Sequence, residues 1–131
     1  MNKALMHSSD IEIYIRDVDT ETVSRWLSAR FDRVDLNIRS PKSVAKGVVY
    51  LDDLRIPVTL FPEAHGKHYL CVLFESPDAP WEDDLACARE LFQMLGKEVR
   101  CSTGGWQEGE DPEDEFWWRI DESGEEQVRW R

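Results

Sequence analysis

The chain has 131 residues, and 27 Asp and Glu against 16 Lys and Arg leave a formal charge of −11. That length suits one domain with its own core, and a 41% hydrophobic fraction with six Trp excludes a disordered acidic chain. Net acid disfavours a nucleic-acid partner, and no run approaches the roughly 18 apolar residues of a membrane span.

Asp10–Arg16 alternates Ile11, Ile13 and Ile15 with Glu12, Tyr14 and Arg16, the period of a half-buried strand. Asp19 and Thr20 are cap residues, and Val23, Trp26, Leu27 and Phe31 follow at helical spacing, predicting a helix over about 20–31. Val34, Leu36 and Ile38 alternate again. Val44–Leu51 and Arg55–Phe61 flank Asp52-Asp53 as a hairpin, and Pro57 places the second strand at an edge or at its own start. Tyr69–Glu75 is nearly all apolar, as a central strand is. Asp78, in the turn at 76–80, is available to cap a second helix marked by Trp81, Leu85, Ala88, Leu91, Phe92 and Leu95 and closed by Gly96. Glu98–Cys101 is a short strand, and Phe116–Asp121 and Glu126–Trp130 form a second hairpin around Ser123-Gly124.

The charge is concentrated near the carboxyl end. Residues 106–131 hold 10 acids and 3 bases, and Glu108–Glu115 (EGEDPEDE) packs six acids into eight residues. Such a run is a solvated loop, because like charges repel. Four of the six tryptophans (Trp106, Trp117, Trp118 and Trp130) lie in the same stretch, so it is a folded one from which the loop departs. Trp117 and Trp118 point to opposite faces of a strand, one toward the core and one toward solvent or a partner. Cys71, Cys87 and Cys101 lack metal or disulfide spacing and read as buried free thiols in a reducing cytoplasm. The amino end is too short for a signal-peptide apolar region, which again gives a cytoplasmic protein.

The two halves share an order of strand, helix, strand and hairpin, over 10–63 and 68–131. The expected fold is therefore α+β, a single domain of two βαβββ units forming a curved mixed sheet with two helices. This arrangement resembles the vicinal oxygen chelate superfamily of glyoxalases, bleomycin-resistance proteins and extradiol dioxygenases. Asp10–Val18 (DIEIYIRDV) is similar to its opening strand, His68–Glu75 (HYLCVLFE) to its restart strand, and Phe116–Arg129 (FWWRIDESGEEQVR) to its closing hairpin. The resemblance implies a concave groove for a small organic ligand and a homodimer. The superfamily's metal-ligand positions fall near Asp10, Thr59, His68 and Val128, of which only His68 matches, so the resemblance implies a metal-free branch with no cofactor and no catalytic residue.

Other motifs read more plainly. Glu63, His65 and His68 lie on an irregular turn that does not force them onto one face, and Gly104-Gly105-Trp106 is a turn or the lip of a pocket. The expected activity is non-catalytic binding or sequestration of a small ligand by Glu12, Tyr14, Tyr50, His68, Phe74, Trp118 and Trp130. The rival expectation is an acidic interaction module of the inhibitor, immunity-protein or nucleic-acid-mimic type. It would meet a basic protein partner through Trp106, Glu108, Glu110, Asp111 and Trp117.

Overall fold

The alternation of isoleucines with polar residues produces strand β1 (Asp10–Arg16) in the computed structural model, which describes residues 10–103 and 116–130. Helix α1 (Thr20–Arg30) starts where Asp19 accepts a hydrogen bond from the Thr22 amide at 2.8 Å, and it buries Val23, Trp26 and Leu27. Strands β2 (Arg33–Asn37), β3 (Ala45–Leu51), β4 (Leu54–His65) and β5 (Tyr69–Glu75) then run as an antiparallel meander. Helix α2 (Asp84–Leu95) follows, closed by Gly96 with φ at 69°. Its cap is Asp83, which accepts from the Ala86 amide at 2.8 Å. Asp78, the expected cap, lies in the turn before it, where its amide donates to Ser76 Oγ. Strands β6 (Val99–Ser102), β7 (Phe116–Asp121) and β8 (Gly124–Arg129) complete the described chain.

All eight strands join one open sheet in the order β2-β3-β4-β5-β1-β6-β7-β8. Every neighbouring pair is antiparallel, so the sheet is not the mixed one expected. The strand-helix-strand-hairpin order does recur along the chain, but the sheet does not keep the two halves apart. Strand β1 sits between β5 and β6, separated from β2–β4 of its own half. Nor is the order two-fold symmetric. A β4–β5 neighbour pair would then require β8 beside β1, and β6 takes that place.

Pro57 also departs from expectation, since β4 is an interior strand. It lies opposite Val48 of β3 but one residue past the last pair at that end of β5, Val58 with Phe74. It therefore sits at the margin of one ladder instead of on a free edge. Strand β4 runs beyond the expected Phe61, and its register with β5 shifts between Phe61 and His65, where Glu63 has φ at 53°.

Both helices cover one face of the sheet. Ile11, Ile13, Ile15, Val58, Leu60, Leu70, Val72, Phe74, Val99 and Cys101 share a core with Val23, Trp26 and Leu27 of α1 and Cys87, Ala88 and Leu91 of α2. At its centre Trp26, Phe31 and Trp81 gather on Phe74, with ring centroids 5.1–6.4 Å from it. Glu90 of α2 fastens this group, accepting from Trp81 Nε1 at 3.0 Å and from Arg30 Nε at 2.7 Å. Arg30 in turn lies over the rings of Phe31 and Trp81.

Candidate interaction face

The period-two rule assigns the remaining side chains of the central strands to the face without helices. Registers place Glu12, Tyr14 and Arg16 of β1 beside Leu73, Cys71 and Tyr69 of β5, and Tyr14 beside Arg100 of β6. Arg100 and Ser102 lie opposite Arg119 and Trp117 of β7, and Trp117 lies opposite Val128 of β8. Trp130 follows β8 on the same parity as Val128. It packs against Tyr14, Tyr69, Trp117 and His65, at centroid distances of 5.1, 4.8, 5.2 and 4.0 Å. Trp117 also meets Tyr14 edge-on at 5.7 Å. Rings from four strands thus converge on Trp130.

Charged groups are threaded through these rings. The Tyr14 hydroxyl donates to Glu12 Oε2 at 2.7 Å, and Cys71 Sγ lies 4.0 Å from the same oxygen. The Tyr69 hydroxyl donates to Glu98 at 2.7 Å, and Arg100 Nε donates to the same carboxylate at 2.7 Å. The Arg100 guanidinium lies over Trp130 at 4.9 Å and Tyr69 at 5.4 Å. Arg119 pairs with both Asp121 and Glu126. Arg100 and Arg119 are therefore already held by protein carboxylates. Burial, with the neighbouring Glu98 second, pushes the Tyr69 hydroxyl up to about 12, and burial with Glu12 raises Tyr14 still further. Both phenols stay neutral donors at ordinary pH.

The cysteines offer no nucleophile. Burial pushes Cys71 and Cys101 up to about 12 and raises Cys87 well above the ordinary thiol value, so none is a thiolate at neutral pH. No group of three or more His, Cys, Asp or Glu is placed to hold a metal ion among the described residues, and no described helix is long and apolar enough to cross a membrane.

The end of the sheet at which β1 begins is strongly acidic, on both its faces. Asp10 and Glu12 begin β1, Glu75 ends β5 opposite Asp10, and Glu82, Asp83 and Asp84 stand at the start of α2. Burial, then the charges of Glu12, Asp83 and Asp10, pushes the Asp84 carboxyl up to about 7. Between the ordinary value of 3.8 and about 7, the folded chain keeps a proton that the unfolded chain has lost. Stability therefore falls as pH rises through that window and levels off above it. Asp84→Asn is expected to abolish this slope and to stabilise the chain at pH 8 by about 1–2 kcal/mol, the shift being discounted for partial exposure. Urea midpoints of both proteins at pH 5 and pH 8 check it.

The residues singled out from sequence are not gathered at one place. Glu12, Tyr14 and Trp130 meet on the helix-free face, and Trp117, assigned to a partner surface, joins them. Phe74 is 0% exposed beneath the helices, which removes it from any ligand lining. Trp118 packs on the core from the opposite side of β7, as the expectation of opposed faces required. Tyr50 lies on β3 under Arg33, toward the far edge of the sheet. His68 pairs with Asp17 at 2.9 Å beyond the end of β1. Trp106, Glu108, Glu110 and Asp111 lie outside the described residues. Sequence reading missed Tyr69, Glu98 and Arg100, and it weighed His65 only as part of an irregular turn with Glu63 and His68. The parity of Tyr69 against Leu70, Val72 and Phe74 carried a signal, but Tyr69–Phe74 is apolar on both faces and hides the period of two.

Comparison with known proteins gives no assignment: no protein family, curated protein or solved structure matches the chain.

Proposed function

We propose that the chain is a non-catalytic binding protein whose helix-free sheet face receives a basic protein partner. The observation that carries the reading is the cluster of Tyr14, Trp117 and Trp130 on an open sheet face beside the acidic start of β1 and α2. Aromatic anchors surrounded by charge are the anatomy of a protein interface, and Trp and Tyr are its commonest hot spots. Charge selects the partner. The chain carries −11 overall, and Arg100 and Arg119 on this face are already paired internally, leaving the acidic end to attract an opposite charge.

The acidic run Glu108–Glu115 falls in sequence between β6 and β7 and lies outside the described residues. The small-ligand expectation loses its aromatic groove, because Tyr14 and Trp130 pack on one another, Phe74 is in the core and Tyr50 is remote. The resemblance to the vicinal oxygen chelate superfamily contributes only the repeated element order.

Affinity capture on the immobilised protein tests the proposal. The wild type is expected to retain one stoichiometric basic protein at low salt and to release it at high salt, since a charged rim acts mainly on encounter. Trp117→Ala with Trp130→Ala should weaken that complex by at least about 30-fold, the loss of about 2 kcal/mol typical of a hot spot. A partner held equally well by the double variant would refute the assignment.

A further inference from the structure

The closest ring contact among the described residues is the one between His65 and Trp130. The imidazole lies against the indole at a centroid distance of 4.0 Å, with 30° between the planes. His65 ends β4 and Trp130 follows β8, five places away in the strand order, so the pair bridges the helix-free face.

The charged and titratable groups around this pair come from several elements. Glu63 precedes His65 on β4 and pairs with Lys42, and Lys67 and His68 follow it, His68 pairing with Asp17. Tyr69 of β5 meets His65 edge-on at 6.1 Å and donates to Glu98, which also holds Arg100 and Arg16. Arg100 of β6 lies over Trp130 at 4.9 Å, and Tyr14 of β1, bonded to Glu12, meets the same indole at 5.1 Å. His65 itself has no ion pair among the described residues. Of the side-chain types packed on Trp130, only imidazole changes charge between pH 8 and pH 5.5, since guanidinium stays charged and both phenols stay neutral.

A proton on His65 therefore adds a positive charge beside Trp130 that no carboxylate offsets, and the electron-rich indole becomes its partner, as it is for Arg100. Two effects then act on a basic partner in the same direction. Like charge on the face repels it, and an indole held by two cations is less available as its anchor. We propose that His65 is a proton-operated switch on the partner face: neutral, it leaves Trp130 to a basic partner, and protonated, it holds the indole and repels that partner. The inference rests on the partner reading above and adds its regulation by pH.

The free chain tests the switch before any partner is added. Followed by NMR between pH 8 and pH 5.5, the Trp130 indole N–H resonance is expected to move in a single step. His65→Phe keeps a ring against the indole but cannot take up a proton, and should hold that resonance still. Asp84→Asn, which removes the carboxyl that also titrates in this range, should leave the step in place. The captured basic partner should then lose about fivefold more affinity for the wild type than for His65→Phe over the same pH change, equivalent to about 1 kcal/mol. A Trp130 resonance that stays fixed in the wild type, still moves in His65→Phe or stops moving in Asp84→Asn would overturn the proposal, as would equal losses of affinity. Expected behaviour of the resonance with no basic partner captured would support the switch and refute the partner reading.

Discussion

Replacing Phe74 with Ala is expected to destabilise the chain by about 3–5 kcal/mol, the range for deleting a buried aromatic from a packed core. Phe74 is 0% exposed on interior strand β5, between Val58 of β4 and Ile11 of β1. It is also the ring on which Trp26, Phe31 and Trp81 converge from α1, its C-terminal cap and the segment before α2. Truncation would leave a cavity reached by both helices, and neither can close on it without leaving the rest of the sheet. A domain stable by about 5–15 kcal/mol would lose a large share of that margin. Chemical denaturation gives the value directly, and a change below about 1 kcal/mol would show that the aromatic group does not centre the core. The same variant, kept folded at low temperature, should still bind its partner, because Phe74 faces away from Trp130.

The second large effect is a backbone one. Gly47 of β3 pairs with Leu36 of β2, and a Cβ added there would lie 2.1 Å from the Asp35 carbonyl oxygen and 2.7 Å from Leu36 Cα. Both atoms are main chain, so no rotamer change relieves the overlap. The requirement is close approach and not an unusual φ. Gly47→Ala should therefore force β2 away from β3 and cost about 1–3 kcal/mol, at the upper end because the clash is with backbone. Since β2 is an edge strand, the damage should be local. Hydrogen exchange at Arg33–Asn37 is expected to accelerate most, with β5 and β1 keeping their protection until global unfolding. Uniform acceleration across the sheet would contradict the assignment of β2 as a detachable edge.

Local chemistry was readable from the sequence wherever neighbours along the chain decide the structure. The isoleucines of β1, the Asp19 cap of α1, Gly96 at the end of α2 and the hairpin at Ser123-Gly124 are all short-range signals, and the folded chain keeps them. Asp83 displaced Asp78 as the α2 cap because both stand in one acidic, Pro-containing stretch, where several residues satisfy the same rule. Pro57 was misjudged because the rule it follows concerns where a neighbouring ladder ends, and that depends on β5.

Long-range pairing was not legible. Nothing near Asp10–Arg16 states that it will lie between β5 and β6, yet that placement brings Tyr14 to Trp117 and Trp130. The element order suggested two separable units; the order of strands in the sheet intermingles them. Tyr14, Tyr69, Arg100 and Trp130 come from four distant positions and become neighbours only through three registers. The His68–Asp17 pair similarly joins residues 51 positions apart. Residue types were thus legible in the sequence, but their grouping had to come from the fold.

The most direct measurement of the central claim is an amide-exchange or chemical-shift footprint of the captured basic partner on the intact chain. The account predicts protection centred on β1, β6, β7 and β8 around Tyr14, Trp117 and Trp130, extending to Glu12, with the outer surfaces of α1 and α2 unchanged. A footprint centred on the helices, with the Trp130 face left as in the free protein, would contradict it.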